Sequence, residues 1–433
     1  MARLDALGFH CNHDPETPQA PIAIINTCGF IGDAKEESIN TILRFAARKH
    51  PSHNSQLHST RNSQPSTTLN LLIVMGCLSE RYLHELETEI PEVDAWFGKF
   101  DYLKALAVVL AYYKPNITLT LVPPCNDPAP RHLTTPSHYA YLKISEGCNR
   151  FCSYCAIPLI TGRHTSRPME ELIAETQWLA SKGVKELNII AQDLSSYGLD
   201  LYKEHRLPQL VEALCRIDGI EWIRLHYAYP ADFPEELLNV MAREPKVCKY
   251  LDLAVQHCTD HMLTQMRRHL TKQEQDNLLA HIRETVPGIV IRTTVMVGHP
   301  GETEEDVNEL IAWIKQQRFE RLGAFAYSDE EGTYAHNHYG DPIPDKVKQT
   351  RLSRVMTAQQ RISDNWTHAQ IGTTQKVIID RLEDEYYIGR TQYDSPEVDC
   401  EVLIKASSPL TIGQFYSVRI DDAEEFDLYG TII

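Results

Sequence analysis

The sequence lacks the run of about 20 apolar residues that a transmembrane helix needs, and its start lacks the basic and apolar segments of a secretory signal. It also lacks an excess of positive charge, since 42 Lys and Arg residues stand against 59 Asp and Glu residues, a formal net charge of −17. These absences predict a cytoplasmic protein with no membrane contact. They also argue against nonspecific binding of nucleic acid and favour a basic partner.

The cysteines suggest metal chemistry rather than disulfides. Eleven are present, they are unevenly spaced, and no secretory signal precedes them. This pattern favours reduced thiols and metal ligands over a disulfide framework. The length of 433 residues predicts about three domains with ample apolar core.

Three cysteines stand close together in residues 146–167 with the spacing C-x3-C-x2-C: Cys148, Cys152 and Cys155. A glycine precedes them, and a proline and a glycine follow, so the segment is predicted to be a wrapped loop rather than a helix. A structural zinc site takes four ligands, whereas an iron–sulfur cube held by three thiolates keeps one iron open. The alternatives are a zinc site that borrows a distant Cys or His, or three unligated thiols.

This loop, with Tyr154 directly before the third cysteine, resembles that of the radical S-adenosylmethionine (SAM) superfamily. The flanking S-E-G-C-N and S-R-P sequences resemble the methylthiotransferases within it. The resemblance implies a catalytic [4Fe-4S] cluster on Cys148, Cys152 and Cys155 whose open iron binds SAM. It also implies an electron donor such as flavodoxin or ferredoxin and a 5′-deoxyadenosyl radical that abstracts hydrogen from an unactivated C–H bond.

Residues 20–117 alternate strand and helix patterns, as a small doubly wound α/β unit would. Cys28 and Cys77 each lie just beyond a predicted strand, at 23–26 and 71–75, on the edge where open α/β sheets bind ligands. Two buried thiols beside tight glycine turns are the alternative. Because I-N-T-C-G-F-I and M-G-C resemble the amino-terminal domain of the methylthiotransferases, the resemblance implies that both cysteines ligate a second [4Fe-4S] cluster.

The start of the sequence departs from the family pattern. Members usually begin with a strand and a G-C-x-K-N type motif that carries the first of three auxiliary cysteines, and this chain starts beyond it. Cys11 is the only cysteine upstream of Cys28, and its G-F-H-C-N setting matches that motif poorly. Either the start is truncated or misassigned, or the auxiliary cluster is incomplete in this chain. We expect truncation, because the missing piece would include the first strand of the sheet.

Two polar stretches are predicted to lie outside the folded domains. Residues 50–70 are rich in Ser, Asn, Gln, Pro and His, which predicts a disordered surface insertion, with a histidine metal tract as the alternative. The second stretch, with five prolines in residues 123–136, is predicted to be a linker.

Residues 137–369 repeat strand and helix patterns, with strands predicted at 140–144, 186–191, 222–226, 250–254, 289–297 and 321–326. Such βα repeats predict a parallel sheet that curls into a partial or full barrel, with function at the carboxyl ends of the strands. Four of these strands end in or are followed by notable residues: Gln192 and Asp193, Arg224 and His226, Gln256 and His257, and Gly298, Gly301 and Glu302. Each could merely cap the next helix, but four together favour a common site.

The residues predicted to contact SAM are Tyr154, Gln192, Arg224, Gln256 and Gly298. The last lies in V-G-H-P-G-E-T, which resembles the family motif beside the adenosine. The segments A-Q-D-L-S-S-Y-G, L-H-Y-A-Y-P and D-L-A-V-Q-H resemble ribosomal-protein methylthiotransferases of the RimO type more than the tRNA-modifying MiaB type. The resemblance covers essentially the whole chain.

The resemblance implies methylthiolation of the β-carbon of an aspartate in small-subunit ribosomal protein twelve, with two SAM molecules and a sulfur donor. The alternative is methylthiolation of a tRNA adenosine. A third hypothesis is a non-catalytic binding protein stabilised by metal.

The last segment switches to short alternating strands broken by Gly, Pro and Asp, which predicts a small antiparallel β-barrel. In the methylthiotransferases this is the TRAM module. From Gly372 onward the chain has 5 Lys and Arg residues against 13 Asp and Glu residues. Phosphate binding needs clustered positive charge, so we expect little direct RNA binding and attraction to a basic ribosomal protein, or else simply an acidic solvated surface. The predicted domains are 1–117, a linker at 118–136, the radical SAM core at 137–369 and TRAM at 370–433.

Overall fold

The computed structural model describes residues 1–13, 20–49, 69–113, 131–406 and 408–433. They form two compact units: residues 1–134 with 156–162, and residues 135–155 with 163–433. The predicted insertion, except for its last two residues, and most of the predicted linker lie outside the described residues. No helix in the described ranges is long and apolar enough to cross a membrane.

The first unit contains three parallel strands, which pair in the order β1 (Ile22–Thr27), β2 (Leu71–Gly76) and β3 (Ala95–Trp96). Its helices are α1 (Ala2–Ala6), α2 (Gly32–Lys49), α3 (Cys77–Glu89), α4 (Tyr102–Tyr113) and α5 (Ile157–Thr161). The strands predicted on either side of the insertion are therefore present.

Helices cover both faces of this small sheet. Successive apolar side chains of its strands point to opposite faces, so each face offers apolar surface to a helix. Leu72 and Val74 pack with Ile42 of α2, whereas Ile73 packs with Val109 of α4. The predicted α/β layering is confirmed, although the order of the three described strands contains no reversal.

The second unit is built on six parallel strands in the order β11-β10-β9-β8-β7-β4. They are β4 (Tyr139–Lys143), β7 (Glu186–Ile190), β8 (Trp222–Ala228), β9 (Val247–Leu253), β10 (Val290–Val297) and β11 (Arg321–Ala326). All six predicted strands are confirmed to within a few residues. The described strands form an open sheet, so the barrel is partial.

The remaining elements of this core complete the βα repeats. A short pair, β5 (Ser145–Glu146) with β6 (Thr165–Ser166), lies beside the loop of three cysteines. The helices are α6 (Met169–Ser181), α7 (Leu207–Cys215), α8 (Glu236–Arg243), α9 (Asp260–Gln265), α10 (Lys272–Thr285), α11 (Glu304–Gln317), α12 (Tyr334–His338) and α13 (Asp345–His368). Capping boxes of Thr271 with Glu274 and of Thr303 with Asp306 define where α10 and α11 begin.

The carboxyl-terminal strands close into a barrel in the order β12-β13-β14-β16-β15. They are β12 (Thr374–Glu383), β13 (Tyr386–Arg390), β14 (Glu401–Lys405), β15 (Phe415–Ala423) and β16 (Asp427–Ile432). Four of the five pairings are antiparallel, as predicted, but β14 and β16 are parallel. This departure arises because the β15–β16 hairpin places its second strand against β14, so the strand that closes the barrel runs in the direction of β14.

The barrel packs against the amino ends of the core strands. Trp222, the first residue of β8, lies 4.8 Å from the ring of Phe415 and shares an apolar cluster with Tyr250, Val290 and Ile378. The contact buries aromatic surface of both the core and the barrel. Aromatic side chains make the largest hydrophobic contributions of any single side chains.

Buried charges bridge the same interface. Glu186, fully buried at the start of β7, accepts bonds from Arg224 Nε at 2.9 Å and from Arg390 Nη2 at 2.8 Å. Arg390 also donates from Nε to Asp380 at 2.6 Å. One core carboxylate therefore pairs with guanidinium groups from both the core and the barrel.

Replacing Glu186 by Ala should lower the free energy of unfolding by about 3–5 kcal/mol, because it leaves two buried guanidinium groups undercompensated. Urea unfolding followed by tryptophan fluorescence measures this. Glu221→Ala removes an exposed carboxylate that pairs with Lys376 at 3.0 Å, and this control should change stability by less than about 1 kcal/mol. Equal effects of the two variants would contradict the importance of the buried pairing.

Candidate active site

The loop of three cysteines follows β5 and has no helical or strand residues from 147 to 155. Its backbone takes positive φ at Gly147 (79°) and at Phe151 (50°), a conformation that a non-glycine residue adopts only where its surroundings hold it. Cys148 and Cys152 are buried, and Cys155 is partly exposed. The predicted wrapped loop is confirmed.

Ser153 fixes this loop to three distant segments. Its amide donates to Met266 O at 3.0 Å, and its carbonyl accepts from the amide of Ala335 at 2.7 Å. Its hydroxyl donates to His299 Nε2 at 2.9 Å. The Nδ1 atom of His299 donates to Pro300 O at 2.9 Å, which assigns Nε2 as the acceptor. Burial lowers the pKa of His299 to about 4, so the ring is neutral at physiological pH.

Polar groups point at two of the sulfurs. The amide of Arg150 lies 3.5 Å from Cys148 Sγ, and Arg268 Nη1 lies 3.4 Å from Cys152 Sγ. Tyr229 Oη lies 3.9 Å from Cys152 Sγ. Burial raises the pKa of the Cys148 thiol to about 11, so a metal that binds this sulfur must displace a proton.

These features fit an iron–sulfur cluster. The loop offers only soft sulfur ligands, two of them are buried, and N–H donors approach them, as occurs around thiolate-bound clusters. Across the described ranges no three His, Cys, Asp or Glu side chains already surround one point in metal-binding geometry. It is therefore the chemistry of the donors that supports the site.

Two predicted cofactor residues lie in this loop or contact its flanking strand, and a third lies at the end of a strand. Tyr154 Oη lies 3.4 Å from Arg268 Nη1, and the Tyr154 ring meets His299 edge-on at 6.3 Å. Gln192 donates from Nε2 to Glu146 Oε1 at 2.5 Å, and its buried Oε1 has no partner among the described residues. Gln256, with φ of 68°, extends the carboxyl end of β9 by pairing its backbone with β10.

Gly298 also lies at a strand end, and packing explains its lack of a side chain. Its φ is 78°, and a Cβ there would lie 2.5 Å from Lys348 Cγ. Its amide donates to Glu302 Oε2 at 2.7 Å, and Arg351 Nη1 donates to the same oxygen at 2.7 Å. Glu302 thus braces the turn instead of capping α11, whose cap is Thr303.

The prediction that Arg224 contacts SAM is wrong. Strand β8 continues to Ala228, so Arg224 lies near the amino end of the sheet, where its guanidinium is fully buried against Glu186 and Gln392 O. His226, predicted to end the same strand, is buried against Asn188 at 3.2 Å. The strand is longer than the sequence pattern suggested. Both side chains therefore lie within the strand, short of its carboxyl end.

Family models match three parts of the chain. Residues 1–98 match the model described as uncharacterized protein family UPF0004, residues 142–314 match the radical SAM superfamily, and residues 371–433 match the TRAM domain. Ribosomal protein uS12 methylthiotransferase RimO of Phocaeicola vulgatus is 55% identical over all of this chain and 95% of that protein. The RimO protein of Bacteroides fragilis is 54% identical with the same coverage.

The chain belongs to the RimO family. It is thus a radical SAM methylthiotransferase, a class that uses an iron–sulfur cluster and SAM. The RimO protein of Porphyromonas gingivalis is 51% identical over 98% of this chain and 93% of that protein, and the tRNA-modifying alternative is not favoured. A solved structure, the radical SAM methyltransferase TsrM of Kitasatospora setae, aligns with 59% of this chain and 55% of its own at a TM-score of 0.47 and 16% identity.

In the first unit, the two cysteines predicted to ligate a second cluster lie on neighbouring segments. Cys28 follows β1 and is exposed, and Cys77 begins α3 directly after Gly76. A Cβ on Gly29 would lie 2.9 Å from the carbonyl carbon of Cys77, and one on Gly76 would lie 2.5 Å from Thr27 O. Glycine at both positions lets the two cysteine segments approach closely at the carboxyl edge of the sheet, as predicted.

Sequence reasoning missed several residues around the loop of three cysteines. Tyr229 lies between two guanidinium groups, that of Arg150 at 4.4 Å and that of Arg268 at 4.0 Å from its ring centre. Asp193 was singled out at a strand end, but its partner Arg150, at 2.7 Å, was not. His299 could have been noticed, because it lies in the V-G-H-P-G motif. Nothing in M-R-R-H-L marks Arg268 as a site residue.

Replacing Ser153 by Ala should weaken cluster retention, because it removes the hydroxyl bond to His299 while leaving both backbone bonds, a loss of about 1 kcal/mol. The rate of iron release to a chelator, followed by absorbance in anaerobic protein, should rise several-fold. Ser181→Ala is the control, since its hydroxyl bonds only to Trp178 O on an exposed helix end. Identical release from both variants would show that the hydroxyl does not hold the loop.

Proposed function

We propose that this chain methylthiolates the β-carbon of an aspartate in ribosomal protein uS12, using two SAM molecules and a sulfur donor. The observation that carries the proposal is the loop of Cys148, Cys152 and Cys155, two of them buried, beside the carboxyl ends of the core strands. The chain is also similar over its full length to uS12 methylthiotransferases. A uS12 substrate would place the reaction in the cytoplasm.

In this proposal Cys148, Cys152 and Cys155 hold a [4Fe-4S] cluster that leaves one iron for SAM. When bound, the cluster and SAM supply a 5′-deoxyadenosyl radical that removes hydrogen from the target carbon. The chain supplies the fixed geometry through Ser153, and it excludes water by burying two of the three sulfurs.

Four residues are proposed to bind SAM. Tyr154 and Gln192 offer a hydroxyl and an unpaired amide oxygen next to the loop. Gln256 and Gly298 contribute backbone groups at the carboxyl ends of β9 and β10. The proposed ligand set differs from the sequence prediction only by the removal of Arg224.

We also propose that Cys28 and Cys77 are two ligands of a second [4Fe-4S] cluster, within the first of the proposed domains 1–117, 137–369 and 370–433. The close approach of the two cysteine segments supports this assignment. Cys28 is exposed and Cys77 is partly exposed, which suits a cluster that must exchange sulfur.

Two kinds of partner are proposed, one from the need for an electron and one from the charge of the barrel. A low-potential protein such as flavodoxin or ferredoxin is proposed to deliver the electron. The barrel has 13 acidic against 5 basic residues from Gly372 onward, which favours a basic ribosomal protein over direct RNA binding.

The direct test uses protein with reconstituted clusters, SAM, a reductant and a sulfide source, with either uS12 or tRNA as substrate. Mass spectrometry should find one methylthio group on an aspartate of uS12 and none on tRNA. The Cys148→Ala variant should form neither product nor 5′-deoxyadenosine. A methylthio group on tRNA adenosine with unmodified uS12 would reject the proposed substrate.

Reversing exposed charge on the barrel should slow capture of uS12. Asp422 and Glu424 are exposed, and changing both to Lys should reduce the association rate several-fold at low salt, an effect that vanishes as ionic strength shortens the screening length to about 8 Å. Stopped-flow binding measures the rate, and SAM cleavage should not change.

The matched control for this charge reversal is the double variant Glu284→Lys and Glu305→Lys, two exposed positions on core helices. It introduces the same charge change away from the barrel, so its association rate should stay close to that of the unmodified protein. Equal slowing by both double variants would mean that only net charge matters and that the barrel has no particular role.

A further inference from the structure

Arg268, in the turn between α9 and α10, is buried with 2% of its surface exposed. Its Nη1 atom lies 3.4 Å from Cys152 Sγ and 3.4 Å from Tyr154 Oη, and Nη2 donates to Ala254 O. The guanidinium lies 4.0 Å over the ring of Tyr229, whose hydroxyl donates back to Arg268 O at 2.7 Å. Its Nε is buried with no hydrogen-bond partner in the described part of the chain.

This guanidinium differs from the other buried ones in its lack of a counter-charge. The ion pairs of the others are Arg224 and Arg390 with Glu186, Arg321 with Asp394, and Arg351 with Glu302. Among the described residues no carboxylate lies within ion-pair distance of Arg268. Burial of a charge without a counter-charge is unfavourable, so the compensating negative charge must come from what Arg268 touches.

The arginine on the other face of Tyr229 provides an internal comparison. Arg150 donates from Nε to Asp193 at 2.7 Å and from Nη1 to Asp232 at 2.9 Å, so two carboxylates neutralise it. Only Arg268 therefore brings an unneutralised positive charge to this set of side chains, and its nearest sulfur belongs to Cys152.

We propose that Arg268 is a positioning residue that supplies the counter-charge to the cluster held at Cys152 and favours its reduced state. This inference rests on the proposed function, in which Cys152 is a cluster ligand. The cluster takes one electron from the external low-potential protein donor, and the guanidinium neither gains nor loses an electron or a proton. Reduction adds one negative charge beside a fixed positive charge in a site of low dielectric, so the charge stabilises the reduced form more than the oxidised form.

The test is a redox titration of the loaded protein without SAM, followed by electron paramagnetic resonance. In Arg268→Gln, which keeps an N–H donor but removes the charge, the ratio of reduced to oxidised cluster at a fixed potential should fall by about tenfold, equivalent to about 59 mV for one electron. Arg268→Lys keeps the charge without the planar fork and should show a smaller fall. Arg267→Gln, at the neighbouring arginine that lies over Tyr334 at 4.4 Å, is the matched control and should not change the ratio.

Each outcome separates this inference from the proposed function. The cluster signal is identified by its loss in Cys152→Ala, and retention of the full signal in that variant would reject the proposed function itself. Loss in Cys152→Ala together with an unchanged ratio in Arg268→Gln would overturn only the inference. A change that appears solely after SAM is added would assign Arg268 to the SAM carboxylate and also overturn it. If Arg268→Gln does not fold, a ratio in Arg268→Lys equal to that of the unmodified protein decides against the inference.

Discussion

The attachment of the cysteine loop through Ser153 is the constraint on which the rest of the site depends. Two backbone bonds and one hydroxyl bond join this residue to Met266, Ala335 and His299. These partners lie more than 100 positions further along the chain, and the folded sheet brings them to the loop. The fold therefore brings three remote segments into contact with the loop that carries the two buried sulfurs. A short peptide with the loop sequence alone would lack these contacts.

The amino ends of the strands in the same sheet carry the contacts with the barrel. There Glu186 joins Arg224 of the core to Arg390 of the barrel, and Trp222 packs on Phe415. The barrel is thereby tied to the amino ends of the strands, while the cysteine loop lies beside the carboxyl ends. The proposed encounter with a basic partner therefore involves the end of the sheet away from the cysteine loop.

Much of the fold could be predicted because its signals are local. Buried parallel strands appear as short apolar runs, and the three cysteine positions define their loop without reference to the rest of the chain. The error at Arg224 has a physical cause, since alternation shows that a strand exists but not where it ends. The position of β16 beside β14 likewise depends on barrel closure, which strand patterns do not encode.

The contacts that tune the site could not be read from sequence. Ser153 meets His299 across 146 positions and Cys152 meets Arg268 across 116, so neither pair lies within any motif. Burial of a charged side chain is also a tertiary property, because an arginine in M-R-R-H-L is indistinguishable from an exposed one until its surroundings are known.

The central claim is that three cysteines of one loop hold a cluster whose remaining iron binds SAM. Pulsed electron–nuclear double resonance of the reduced protein with SAM labelled by carbon-13 at its carboxylate tests it most directly. We predict a hyperfine coupling between the labelled carbon and the cluster, present in the unmodified protein and absent in Cys155→Ala. A loaded, reduced protein that binds labelled SAM without such coupling would contradict the account.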